Sequence, residues 1–232
     1  MLKSNAYKII SVEKYMFHLT HMYVAYQIAK LNLTPELLFG SIIPDISEVS
    51  RDYLSVKEYN GNLPIWARKL KHSDLRIGAL SHHGVDLVSH GDIDYSVMTY
   101  ENDVDSLDSE GDGVSFTWFD ARFPKLRNTR NHTGPEYFME LYVTKTYPYV
   151  FDLYDIAVKK TNMSAVAVDL AQALDKDSER ILDILYKWIE FTKKINFVTK
   201  TTKSLSSPQQ DRAKNLETCI AIARREVEKG SA

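Results

Sequence analysis

Residues 81–91 read Ser81-His82-His83-Gly84-Val85-Asp86-Leu87-Val88-Ser89-His90-Gly91. His82, Asp86 and His90 stand four residues apart, twice over. On an α-helix such positions share one face and climb about 6 Å per step. The apolar neighbours Ile77, Leu80, Val85, Leu87 and Val88 fit a helical period, so the pattern predicts a helix over 74–91. Three metal-competent side chains in so apolar a helix would be costly to bury without a partner. His82 and His90 are then about 12 Å apart along the axis, too far for one zinc with bonds of about 2.0–2.1 Å to nitrogen. A metal-binding face here calls for at least two ions with Asp86 between them, a geometry common in hydrolytic sites. His83 points roughly 100° away from His82 and is left off this face. Asp94 continues the spacing, but Gly91 ends the helix before it.

Helical periodicity dominates the rest of the chain. A helix is expected over 11–31, with Tyr15, Leu19, Met22, Tyr23 and Tyr26 on a broad apolar face. Thr34-Pro35-Glu36 reads as a cap followed by proline at the first helical position, starting a helix that runs to Pro44. Residues 46–63 read as irregular and polar. Further helices are expected at 64–72, 132–146, 149–160, 164–174 and 176–197, and from Ser207-Pro208 to about Lys229. The only β-like stretches are short, at 114–118 and 197–202. Residues 92–127 form a long acidic excursion broken by glycine and proline, and loops of that length are usually functional or mobile. The expectation is an all-α protein, a single multi-helix domain over 1–232 with a metal-ligand core at 18–140 and a helical tail at 141–232.

Composition narrows the chemistry. The chain has 232 residues, 44% hydrophobic and 26% charged, enough for a substantial core. A formal net charge of −2 provides no global basic field for nucleic acid. The single cysteine, Cys219, allows no intrachain disulfide and no cysteine-based zinc site. Any zinc must be held by His, Asp and Glu. The first residues, MLKSNAYKIISVEKYMF, lack the apolar core and cleavage site of a signal peptide. No run approaches the roughly 18 apolar residues of a membrane span. The expectation is a soluble, cytoplasmic protein.

Other candidate ligands carry a plainer reading beside the metal one. His21 lies in a predicted helix, where a lone histidine is usually a surface or satisfied core residue, and His18 competes one turn earlier for the same role. Asp45 follows Pro44, where aspartate is a common turn or cap residue. His72 lies among lysines and reads equally as an exposed histidine. His132 and Glu136, spaced i, i+4, could chelate one ion together or belong to a capping region. Asp108, Glu110 and Asp112 before Gly113 have the start of a calcium loop, but Phe119 stands where its bidentate acid belongs, and a solvated lid is the simpler reading.

In order, these pieces are Thr20-His21…Ala25, Gly40…Pro44-Asp45, His72, Gly78…His82…Asp86…His90, and His132…Glu136. Together they resemble the zinc-dependent phospholipase C family, whose all-helical fold is shared with fungal zinc nucleases that cut single strands. The resemblance covers residues 20–136 and implies a cluster of two or three zinc ions. Asp45, His72, His82 and Asp86 would hold one zinc. Asp86 would bridge to a neighbour also held by His21. His90, His132 and Glu136 would hold the third. Secreted members add ligands from an N-terminal tryptophan; this chain starts with Met.

The function so implied is a zinc-dependent phosphoric ester hydrolase, a phosphodiesterase or phospholipase C-like enzyme. Asp45 or Glu136 would orient water as general base. The substrate would be a phospholipid head group, a nucleotide or single-stranded nucleic acid, and the motifs do not choose among them. Tyr53, Trp66, Tyr95, Tyr100, Trp118 and Phe119 could cage a choline group or stack on a base, or serve as packing. The alternative is a non-catalytic helical binding protein with a structural or degenerate zinc site. A helical phosphohydrolase with adjacent His-Asp ligands is disfavoured, because no His-Asp dipeptide occurs.

Overall fold

A computed structural model describes residues 18–29, 32–55, 59, 61–89, 139–201 and 209–231. Every regular element among these is helical: α1 (His18–Ala29), α2 (Pro35–Gly40), a 3₁₀ turn (Ile43–Val49), α3 (Leu63–Ala67), α4 (Ser73–Ser89), α5 (139–146), α6 (Val150–Lys160), α7 (Met163–Leu174), α8 (Ser178–Thr201) and α9 (Gln209–Ser231). No described helix is long and apolar enough to cross a membrane.

The middle of the molecule is α4, which packs against α9, α2, α1 and α3. Two glycines let the backbones approach. A Cβ on Gly78 would stand 2.7 Å from the Ser41 nitrogen, so only glycine lets α2 lie this close across α4. A Cβ on Gly84 would stand 2.7 Å from the Ala223 nitrogen, which makes the same demand at the contact with α9. Around this axis Leu19, Met22, Leu38, Phe39, Ile42, Ile43 and Trp188 are buried in one apolar cluster. Burial of such side chains, worth roughly 1.5–3 kcal/mol each, is the main force holding the helices together.

The expected helix start at Thr34 is present. The Thr34 hydroxyl oxygen accepts a hydrogen bond from the Leu37 amide at 3.2 Å, and Pro35 takes the first helical position. The same hydroxyl donates to Asp74 Oδ2 at 2.8 Å, tying the first turn of α2 to that of α4. Two expectations are corrected. Residues 46–63 begin in a buried 3₁₀ turn, with Ile43, Pro44, Asp45, Ile46 and Ser47 all buried, rather than in an irregular polar stretch. Residues 197–201, read as β-like from their β-branched side chains, continue α8. Packing of Trp188 and Ile195 on the core outweighs the weak preferences of Val198 and Thr199. The β-like stretch at 114–118, the excursion 92–127 and the first part of the helix expected at 132–146 lie outside the described residues.

Candidate metal centre

Three elements bring four potential ligands together. His21 comes from the second turn of α1, Asp45 from the 3₁₀ turn, and His82 and Asp86 from consecutive turns of α4. His21, Asp45 and His82 are buried, and each has a ligand atom within 4.8 Å of those of the other two. His82 Nε2 lies 3.1 Å from Asp86 Oδ2 and 3.5 Å from Asp45 Oδ1. His21 Nε2 lies 3.5 Å from Asp86 Oδ1. A tetrahedral zinc with bonds of about 2.0–2.1 Å separates its ligand atoms by about 3.3 Å. The three distances bracket that value, while the nearly parallel His21 and His82 rings would have to turn for both Nε2 atoms to face one ion.

The orientation of His82 suits ligation. Its Nδ1–H donates to the Ser41 carbonyl oxygen at 2.8 Å, which turns Nε2 towards the two carboxylates. Such a hydrogen bond through the other ring nitrogen is usual for a metal-binding histidine. Despite its two carboxylate neighbours, Nε2 makes no aligned hydrogen bond among the described residues. The ring is fully buried, which opposes its charged form; the Asp86 and Asp45 carboxylates and the Ser41 carbonyl outweigh this and push its pKa up to about 9. In the absence of metal a proton therefore occupies this place between the acids.

The His21 and His82 rings stack face to face, with centroids 3.7 Å apart and planes inclined by 12°. Asp86 turns one oxygen towards each ring. It is also the most open member of the group, with its side chain 18% exposed. Tyr59, buried within electrostatic reach of Asp45, donates its hydroxyl to the Ile43 carbonyl at 3.0 Å and stacks its ring on Trp66.

The remaining candidates are placed differently. His72 is exposed, just ahead of α4 and ten residues before His82, roughly 15 Å along the helix axis. It joins Lys71 and Glu36 on a separate cavity, and its amide donates to Asp169 Oδ2 at 3.0 Å. Of the expected set of Asp45, His72, His82 and Asp86, the structure brings Asp45, His82 and Asp86 together with His21, and His72 stands apart from them. His18 faces away from the group, with Nε2 2.8 Å from Asn196 Oδ1 and its ring against Tyr154 and Trp188. His83 lies between α4 and α9, where burial pushes its pKa down. His90, His132 and Glu136 lie outside the described residues, as do Tyr95, Tyr100, Trp118 and Phe119. Trp66 is a packing residue, buried against Tyr59 with its indole N–H donating to the Tyr59 carbonyl at 2.8 Å. Tyr53 carries the Arg180 guanidinium 3.9 Å above its ring centre.

One neighbour of the group has no local signal in the sequence. Glu140, on α5, is buried and accepts hydrogen bonds from the Leu19 amide, the Thr20 amide and the Thr20 hydroxyl. No protein-family profile, curated protein or solved structure matches the chain.

Proposed function

We propose that the chain is a zinc-dependent hydrolase of phosphoric esters, built on the all-helical plan of the zinc-dependent phospholipase C family. The observation that carries this reading is the meeting of His21, Asp45 and His82. They are distant in sequence and buried, with ligand atoms within 4.8 Å of one another, and each is a ligand position in the motif order that resembles that family.

Zinc bound there would act as a Lewis acid on a phosphoryl oxygen and lower the pKa of a water towards about 7. His82 is held by Ser41 to present Nε2. Asp45, buried beside it, would accept a proton from the zinc-activated water. Asp86, facing both imidazoles and the most exposed of the four, could serve two ions. In the proposed cluster Asp86 and His21 would share the second ion, and His90, His132 and Glu136 would hold the third. The group contains nothing that chooses among a phospholipid head group, a nucleotide and single-stranded nucleic acid.

A second reading is favoured by the burial of three of the four donors. Four protein ligands that close round one ion describe a structural zinc site in a non-catalytic binding protein. Elemental analysis and a phosphodiester assay separate the two. The hydrolase reading expects zinc-loaded protein to cleave bis(4-nitrophenyl) phosphate and Asp86→Asn to abolish cleavage. Undiminished activity in Asp86→Asn would sink it; tightly held zinc with no cleavage would favour the structural role.

A further inference from the structure

We infer that Glu140 is the positioning residue that sets His21 into the metal group, an inference that rests on the metal reading above. The amides of Leu19 and Thr20, on α1, find a carboxylate acceptor in Glu140, about 120 residues away in the chain. Oε1 accepts from the Leu19 amide at 3.1 Å. Oε2 accepts from the Thr20 amide and the Thr20 hydroxyl, both at 2.7 Å.

The two residues it grips directly precede His21. Side chains within one turn move with their backbone, so this grip fixes how far along its axis and at what rotation α1 offers the imidazole. On the other side of the same turn, His18 is held by Asn196. With Glu140 gripping the backbone just ahead of it, the His21 ring stacks on His82 with centroids 3.7 Å apart and its Nε2 lies 3.5 Å from Asp86 Oδ1. The contacts that carry this role run from Glu140 to α1, at Leu19 and Thr20. A glutamine in its place offers one acceptor oxygen and turns an NH₂ group towards a donor, so it cannot satisfy the three donors at once.

The test is Co2+ titration of the full chain, followed by visible absorption and by the paramagnetically shifted ring protons of the bound histidines. Wild type is compared with Glu140→Gln and with Tyr154→Phe. The latter removes a buried hydroxyl that bonds Thr192 at 2.6 Å, away from the ligands. Residues that orient a metal ligand typically cost about 10- to 100-fold in affinity when replaced. Glu140→Gln is expected to weaken Co2+ by at least about tenfold and to move the His21 signal, while Tyr154→Phe changes neither. Should Glu140→Gln not fold, Thr20→Val, which removes only the hydroxyl bond, is expected to show a smaller loss in the same direction. Unchanged affinity in whichever variant folds, or an equal loss in Tyr154→Phe, would overturn the assignment. A wild-type protein that takes up no Co2+ would instead overturn the metal reading, and this inference with it.

Discussion

The Ser41 carbonyl oxygen and His82 Nδ1 are 2.8 Å apart, and this contact decides which face of the imidazole the two aspartates see. With Nδ1 donating to the backbone, the lone pair that a metal needs is on Nε2. The zinc-loaded protein should therefore hold His82 as the Nδ1–H tautomer. Long-range proton–nitrogen spectra of the imidazoles read this directly. An Nε2–H form in the loaded protein would remove His82 from the ligand set.

Gly78 makes that contact possible, because it lets the end of α2 reach α4. Gly78→Ala would press a methyl group against the Leu37 and Ser41 backbone. Overpacking of this kind costs about 1–3 kcal/mol. The variant should lose stability by that amount in urea denaturation and should also bind zinc more weakly, since the Ser41 carbonyl must retreat from His82. Wild-type zinc affinity in a destabilised Gly78→Ala protein would mean that the hydrogen bond does not orient the ligand.

The pKa of His82 sets a pH dependence of definite sign. It is raised from the model-compound value of 6.5 to about 9 in the folded chain. A folded-state pKa above the unfolded one gives stability that is complete below about 6.5 and is lost as pH rises through about 9. Chelator-treated protein should thus become less stable across that window, and His82→Gln should lack this part of the decline. Metal competes with the same proton, so zinc uptake near pH 7 should release protons. Identical pH profiles for wild type and His82→Gln would refute the placement of the charge.

Neighbouring histidines on α1 should behave in opposite ways. His18→Ala leaves Asn196 without its partner in a buried setting and should cost roughly 1–3 kcal/mol, with metal content unchanged. His21→Ala should lower metal content while leaving the core intact. Denaturation and elemental analysis of the two variants check this. Loss of metal in His18→Ala alone would reverse the assignment.

What the sequence shows and hides follows from the range of the interactions. The Thr34-Pro35 start and the His82–Asp86 pair are local, so spacing and cap chemistry reveal them. The neighbourhood of Asp45 was harder to read. Ser47 and Ser50 look like loop residues, yet both are buried in and beside the 3₁₀ turn, where the Ser50 hydroxyl bonds back to the Ile46 carbonyl. His72 fitted a motif order, but no order of motifs reports that ten helical residues separate it from His82 by roughly 15 Å. Glu140 gives no sequence signal, because the donors it satisfies lie at the far end of a long chain segment.

The contact of Gly84 with Ala223 has a consequence for how the molecule comes into being. α9 lies against both α4 and α1, the helices that bear three of the four ligands, yet it is separated from them by well over a hundred residues. A growing polypeptide that has emerged only as far as α4 has His21, Asp45, His82 and Asp86 but lacks the support that seats them. Contacts this distant in sequence form late and slowly. Assembly of the His21, Asp45, His82 and Asp86 group should therefore follow synthesis of α9, so that the last helix made completes the support of residues made long before it.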